Sequence, residues 1–126
     1  MNWRQLILLA GLLSCSGAQA GYFNGHRLLN GLRAAEYSER NRIPDPRAIN
    51  TALNGAVAVG YVMGIADAAE GKTVCRPSQA DVRDVKNTVI GHLNANSHRL
   101  RQSGEYLALE ALENRWPCKP KRFWER

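Results

Sequence analysis

The stretch DPRAINTALNGAVAVGYVMGIADAAEG, residues 45–71, decides the fold of this chain. Asp45 is a good helix cap and Pro46 suits a first helical turn, whereas Gly71 is placed to end the helix. Apart from its ends, the stretch carries no charged side chain and consists mainly of small and apolar residues. This pattern predicts one long helix to about Glu70, apolar around most of its circumference, and therefore a buried central helix.

Two glycines inside this helix, Gly60 and Gly64, each cost roughly 1 kcal/mol of helix propensity relative to alanine. We expect a close approach of neighbouring helix backbones at both positions to offset that cost. In a longer apolar segment the same spacing would indicate paired membrane helices. Here the polar residues Asn50, Asn54 and Asp67 favour the core of a soluble domain, and no later stretch is long and apolar enough to span a membrane.

Two further helices are predicted after a connecting loop, residues 71–77. Ser78 is a suitable cap for the first, whose inward face repeats at helical spacing and comprises Val82, Val85, Val89, Ile90 and Leu93. The second covers about residues 104–115 and stops before Pro117, with an inward face comprising Tyr106, Leu107, Leu109, Ala111 and Leu112.

Before the central helix, residues 26–38 show a helix-like apolar stripe, and residues 39–43 read as a loop that ends at Pro44. Strand signals are weak throughout. The sequence therefore predicts an all-α protein, a small bundle of about four to five helices. The length supports a single helical domain, residues 21–126, with a short basic C-terminal tail.

The N-terminal segment, residues 1–20, has the features of a secretory signal peptide. Arg4 precedes an apolar run at residues 6–13, and Ala18-Gln19-Ala20 places small residues before a cut at Gly21. The predicted location is the periplasm. A buried N-terminal helix is the alternative interpretation.

A second route of export remains open, because Leu12-Leu13-Ser14-Cys15 is similar to a bacterial lipoprotein box in which Cys15 would become a lipid anchor. On either route, Cys75 and Cys118 remain as an even pair in an oxidising compartment, which predicts a disulfide rather than two free buried thiols. Such a bond closes a loop of about 44 residues and stabilises the fold by about 4 kcal/mol in a chain-entropy model.

The net charge of the chain limits the kinds of partner that it could bind. Without Arg4 the chain has 16 basic and 11 acidic residues, a net charge of +5. Export argues against nucleic acid, and the basic residues are scattered, so a solvated surface or an acidic protein partner accounts for them.

A search for catalytic or ligand-binding groups finds no convincing site. His26, His92 and His98 lack the spacing of metal ligands, the cysteines are better used in a disulfide, and no serine lies in a nucleophile context. Asp67 is the most interesting acid, and a hydrogen bond to a neighbouring loop or helix is its simplest interpretation. We therefore predict a protein that is not an enzyme and needs neither a metal nor a cofactor.

Three segments together resemble a known family: Gly60-Tyr61-Val62-Met63-Gly64-Ile65-Ala66-Asp67, Val74-Cys75-Arg76-Pro77, and Ala111-Leu112-Glu113-Asn114-Arg115-Trp116-Pro117-Cys118. They are similar to the Rap/Tai family of immunity proteins. The best-known members are small exported helical proteins of Gram-negative bacteria that neutralise peptidoglycan-cleaving amidase effectors of type VI secretion.

The resemblance assigns Tyr61, Gly64 and Asp67 to a central-helix motif, and it matches Cys75, Cys118 and Pro117 to the family's disulfide and its preceding proline. These residues are expected to determine the fold rather than to contact a partner. The resemblance also implies a homodimer that inhibits by occlusion. As candidates for contact with a partner protein we name Lys72 and Arg76, in the connecting loop that contains Cys75, and Arg83, on the third helix.

The sequence thus predicts a periplasmic immunity protein that binds a cognate amidase effector. The alternative is a periplasmic binding protein of another kind, such as an HdeA-like acid-stress chaperone, which is also small, helical and closed by disulfides. A third possibility is an enzyme that uses Asp67 with a histidine.

Overall fold

A computed structural model describes residues 22–41 and 48–120 of the chain. Within these ranges it contains four α-helices and no β-strand: α1 (Gly25–Arg40), α2 (Ala48–Ala69), α3 (Val82–Ala95) and α4 (Gly104–Arg115), with a single 3-10 turn at Ser97–Arg99. The all-α prediction is confirmed. The predicted signal peptide, the lipidation site and the tail after Pro120 lie outside the described residues, as does the predicted start of the central helix at Asp45.

The helix ends follow local capping chemistry. At α1, the backbone N–H of Arg27 donates to Asn24 Oδ1 over 2.9 Å. The start of α3 differs from the prediction, because Asp81 caps it rather than Ser78. Asp81 and Asp84 form a reciprocal capping box, in which each side chain accepts from the other residue's backbone N–H. The residues before Asp81 form a turn instead, closed by a hydrogen bond from Ala80 N–H to the Pro77 carbonyl.

The core lies where all four helices meet. α1 packs chiefly against α2, and α3 packs chiefly against α4. The largest side chains that are fully buried come from each helix and from the loop after α2: Leu28, Leu32, Val62, Val74, Val85, Val89, Leu93, Leu107 and Leu112.

Three positions on α3 and α4 depart from the predicted faces. Val82 and Tyr106 are about half exposed rather than inward, and Arg99 lies over the ring of Tyr106, 5.8 Å from its centroid. Lys86, which is not part of the predicted inward face, is buried. Its ammonium donates to both carboxylate oxygens of Glu39, at 2.8 and 2.7 Å. The ion pair satisfies the buried charge and ties α3 to the end of α1.

The prediction that α2 is a buried central helix is wrong. Its buried residues form one stripe: Gly55, Ala58, Val62, Ala66 and Ala69. Ile49, Leu53 and Val57 are 57%, 58% and 49% exposed. The expectation that no later stretch is long and apolar enough to span a membrane is also wrong, because α2 meets that criterion by length and composition alone. Buried core helices of soluble proteins meet it too, but only 17% of the tested window of α2 is buried.

The predicted close approach of helix backbones occurs, but at other glycines. A Cβ added to Gly60 or Gly64 would meet nothing within 4 Å. A Cβ on Gly55 would lie 2.6 Å from the Ala35 backbone nitrogen, and one on Gly31 would lie 2.6 Å from Ala58 Cβ. Gly31 and Gly55 therefore allow α1 and α2 to pack closely, whereas Gly60 and Gly64 face outward.

Candidate functional site

The disulfide joins Cys75 to Cys118 as predicted, with an S–S distance of 1.95 Å and a Cα–Cα distance of 4.8 Å. Cys75 lies between α2 and α3, and Cys118 lies just after α4. The bond therefore fixes residues 70–81, which we call the cysteine loop, against the end of the last helix.

Backbone hydrogen bonds hold the first half of the cysteine loop. Gly71 has a positive φ of 73°, which glycine adopts without a steric cost, and its N–H donates to the Val74 carbonyl over 2.8 Å. Val74 is fully buried. On either side of Val74, Cys75 N–H donates to the Trp116 carbonyl over 2.8 Å, and Cys118 N–H donates to the Thr73 carbonyl over 3.3 Å.

The side chain of Arg76 holds the second half of the loop. Its Nε donates to Glu70 Oε2 over 2.6 Å, and its Nη2 donates to Asp67 Oδ1 over 2.8 Å. The backbone N–H of Arg76 also donates to Glu70 Oε1, over 3.1 Å. The hydrogen bonds that Arg76 donates to Glu70 and then to Asp67, together with the charges of these carboxylates, raise the pKa of Arg76 against the opposing effect of its burial. The Arg76 guanidinium is thus paired with two carboxylates of the same chain, and these ion pairs hold the loop against the end of α2.

The exposed residues of the loop are Glu70, Gly71, Lys72, Thr73, Cys75, Pro77, Ser78, Gln79 and Asp81. The three contact candidates from the sequence do not form one cluster. Lys72 lies beside α2 and α4, Arg76 lies beneath the loop, and Arg83 lies near the end of α1 with Glu36 and Glu39. Lys72 and Arg83 remain predicted partner contacts on separate parts of the surface.

Two shallow clefts flank the cysteine loop. A mixed cleft of about 720 Å³ runs between the loop, α3 and the end of α4, and its lining includes Pro77, Gln79, His92 and Trp116. An apolar cleft of about 640 Å³ runs between α2 and α4, and its lining includes Tyr61, Gly64, Ile65, Lys72, Thr73 and Leu109. The loop consequently stands as a ridge between two depressions.

Three of the four family-motif residues lie along the second half of α2, and the fourth, Pro117, follows the end of α4. Tyr61 is partly buried with its ring 5.0 Å from that of Phe23, and burial, with a smaller contribution from the Glu105 charge, raises the pKa of its phenol. Gly64 is exposed on α2. Asp67 binds Arg76, as expected of an acid that is hydrogen-bonded to a neighbouring loop. Pro117 follows Trp116, whose carbonyl receives the Cys75 hydrogen bond.

One polar cluster was missed by reasoning from the sequence. Arg99 donates to both carboxylate oxygens of Glu110, at 2.9 and 3.1 Å, and His92 Nε2 lies 2.7 Å from Glu110 Oε2. The hydrogen bond from Arg99, followed by that with His92, lowers the pKa of Glu110. The cluster joins α3, the 3-10 turn and α4. Its members share no helical period, because they come from three separate elements.

The arrangement offers surfaces on which a partner could bind. Among the residues that the structure describes, no group of three or more His, Cys, Asp and Glu side chains could hold a metal ion. Asp67, the acid considered for catalysis, is held by Arg76 at the base of the loop.

Comparison with known proteins places this geometry in a family. The family model described as Rap1a immunity proteins matches residues 24–118. The match covers all four helices, the cysteine loop and both disulfide cysteines, and it confirms the resemblance to the Rap/Tai family. A search of curated proteins finds no match to the chain.

Proposed function

Because this chain belongs to the Rap1a immunity protein family, we propose that it is a periplasmic immunity protein that binds and occludes a peptidoglycan-cleaving amidase effector of type VI secretion. Immunity proteins act by binding, so the mechanism requires no catalytic group of this chain.

The observation that carries the proposal is the cysteine loop. A disulfide, the backbone hydrogen bonds at Gly71, Cys75 and Cys118, and the Arg76 ion pairs hold it in one shape. Its exposed residues border two clefts: Pro77 and Gln79 line the mixed cleft, and Lys72 and Thr73 line the apolar cleft. A rigid ridge loses little conformational entropy when it enters a groove, which favours tight association. Occlusion of an effector's catalytic groove is a function that suits this shape.

The net charge and the exposed basic residues of this chain favour a partner with an acidic surface. The net charge without the predicted signal peptide is +5, and Lys72 and Arg83 are both exposed. Complementary charge mainly speeds association and excludes wrong partners.

Export is part of the proposal. We propose that residues 1–20 direct the chain to the periplasm and that cleavage before Gly21 releases the single domain of residues 21–126. Intact-mass measurement of the mature protein tests this step, since lipidation at Cys15 would instead leave six more residues, 15–20, and a lipid.

The proposal is tested by pull-down from periplasmic extract with each candidate amidase effector that is encoded near this gene. Wild-type protein is expected to retain the effector and to protect cells that receive it. The variant Lys72→Glu is expected to bind more weakly, whereas Arg101→Glu, the same charge change at an exposed site away from the cysteine loop, serves as the matched control. Failure to protect against every effector encoded nearby would contradict the proposal.

A second candidate function, an HdeA-like acid-stress chaperone, draws on the exposed apolar side chains of α2. Such a chaperone must lose dimer contacts and expose apolar surface at low pH. If the protein stays compact at low pH and protects no client from aggregation, this candidate is excluded.

A further inference from the structure

The apolar cleft between α2 and α4 contains open space that two glycines create. Gly60 and Gly64 both line it, and a Cβ added to either would meet nothing within 4 Å. Each glycine costs helix propensity and leaves room that a larger residue would fill. Beside this space Ile65 and Leu109 are only partly buried against the core. The cleft therefore offers both apolar surface and room for a large side chain.

The described chain ends beside this cleft. Cys118 N–H donates to the carbonyl of Thr73 over 3.3 Å, and Thr73 lines the cleft where it meets the cysteine loop. The disulfide to Cys75 fixes the same point of the chain. Lys119 and Pro120, which follow, are exposed. Chain that continues past Pro120 therefore begins at the mouth of the apolar cleft.

We propose that the C-terminal tail, residues 121–126, docks in the apolar cleft of its own chain, with the side chain of Trp124 in the space beside Gly60 and Gly64. The sequence of the tail is Lys121-Arg122-Phe123-Trp124-Glu125-Arg126, so it supplies aromatic side chains between basic ones. The inference concerns a contact within the chain, and it does not depend on the proposed immunity function.

One row of side chains on α4 sets the chemistry of the cleft. Glu105, Leu109 and Glu113 follow at intervals of four residues, so they share one face of the helix, and all three line the cleft. The glutamates lie about 12 Å apart along the helix, with the leucine midway between them. Neither glutamate is paired with a basic side chain among the described residues. Although Lys72 also lines the cleft, two carboxylates outweigh it, and the row favours an apolar group with positive charge on both sides.

The tail repeats this order at the same interval. In an extended segment alternate side chains share a face, which places Arg122, Trp124 and Arg126 on one side. The two arginines are then about 13 Å apart. With the tail running from the cysteine loop toward the start of α4, Arg122 meets Glu113 near the loop. Arg126 meets Glu105 at the far end, and the indole lies over the leucine between them.

The short connection makes a weak contact sufficient. Cys118 is held by its disulfide, and the four residues after it reach up to about 13 Å, which covers the last turn of α4. A segment tethered so closely has an effective concentration in the millimolar range. Exposed ion pairs stabilise little, so we expect them to set the register. Burial of the indole of Trp124 supplies most of the attraction.

Nuclear Overhauser contacts in the purified mature protein, with no effector present, test the docking directly. The indole protons of Trp124 should show contacts with the methyl groups of Ile65 and Leu109, and the ring should shift both methyl signals. Trp124→Ala should remove that shift. The matched control is Phe123→Ala, which removes an aromatic ring from the opposite side of the tail and should leave the shift in place.

Filling the cleft tests which space the indole occupies. Gly64→Leu places a side chain in the open space of α2 and should abolish the contacts between Trp124 and Leu109. Gly91→Leu is the matched control, because it places the same side chain at an exposed helical glycine of α3 that also has nothing within 4 Å, and the contacts should persist. Circular dichroism confirms that both variants fold.

Charge reversal tests the register. Glu105→Arg should move the Leu109 methyl signal toward its position in Trp124→Ala, and the double variant Glu105→Arg, Arg126→Glu should move it back. Glu113→Arg combined with Arg126→Glu should give no such recovery, because the register keeps these two residues apart. Recovery in the second pair but not in the first would overturn the register.

The inference would be overturned by a wild type whose Trp124 contacts neither methyl group, or by contacts with Ala111 and Trp116 in the mixed cleft instead. Contacts that arise between two copies, which a mixture of labelled and unlabelled protein detects, would also overturn it, as would unchanged contacts in Gly64→Leu. Because every measurement is made without an effector, these outcomes are distinct from failure of the proposed immunity function.

Discussion

Arg76 has a role that its position in the sequence does not reveal. As an exposed-looking arginine in a loop, it is a reasonable candidate for contact with a partner. In the fold its guanidinium binds Glu70 and Asp67, six and nine residues earlier, across a turn that follows no periodic rule. The type of residue is visible in the sequence, but the path of the loop that brings the two carboxylates to it is not.

Loss of the Arg76 ion pairs should loosen the cysteine loop without unfolding the bundle. We expect Arg76→Gln to lower the free energy of unfolding by only about 1 kcal/mol, because both carboxylates are more than a third exposed and solvent weakens such pairs. Amide hydrogen exchange at residues 76–80 should accelerate much more than exchange in α4. Arg83→Gln, at an exposed position on α3, is the control and should change neither quantity.

Close packing between α1 and α2 makes Gly55 sensitive to a single methyl group. In Gly55→Ala the new Cβ would lie 2.6 Å from the Ala35 backbone nitrogen, so the helices must move apart. We expect a loss of stability of about 1–3 kcal/mol. Gly91→Ala, where the Cβ has open space, should instead stabilise the protein by up to about 1 kcal/mol through helix propensity. Urea unfolding of the two variants measures both; equal effects would contradict the close approach.

The carboxylate of Glu110 should make stability depend on pH. Its pKa is lowered in the folded protein by the hydrogen bonds with Arg99 and His92. The stabilisation is therefore fully present above the ordinary carboxyl pKa of about 4.5 and is lost as the pH falls through the lower folded value. The difference in unfolding free energy between wild type and Glu110→Gln should shrink on acidification. A difference that grows as the pH falls would contradict this assignment.

At the scale of elements, local patterns predict helices well and their surroundings less well. The predicted bounds of α1 and α4 agree closely with the structure, because apolar periodicity and stop signals act over a few residues. The burial of α2 was mispredicted. A helix that is apolar on most sides indicates burial on most sides, but the other three helices cover only the stripe from Gly55 to Ala69.

The disulfide should contribute more to stability than any side-chain interaction considered above. The double variant Cys75→Ala, Cys118→Ala, which lacks the bond, is expected to have a free energy of unfolding lower by about 4 kcal/mol. Without the bond the unfolded chain gains conformational entropy, because two residues 43 positions apart are no longer joined. Urea unfolding of the oxidised wild type, the reduced wild type and the double variant measures this. The reduced protein and the double variant should agree; a loss below about 1 kcal/mol in both would contradict the account.

For the whole molecule, the fold class, the disulfide and the family could be predicted from the sequence. Apolar periodicity indicates the helices, an even pair of cysteines in an exported chain indicates the disulfide, and three sequence segments indicate the family. The arrangement of the candidate site could not. Recognition of a protein partner needs only a complementary shape, and the ridge between two clefts arises from residues far apart in the chain, such as Gln79, Trp116 and Leu109. No local sequence pattern predicts that these residues come together.

The central claim is that this protein inhibits an amidase effector by occluding its catalytic groove. The most direct measurement is the rate of peptidoglycan cleavage by a candidate amidase effector that this protein retains in the pull-down, titrated with the purified oxidised protein. The account predicts that cleavage falls linearly to zero near one immunity chain per effector, and that Lys72→Glu shifts the titration while Arg101→Glu does not. Undiminished cleavage at a large excess of the folded protein would contradict it.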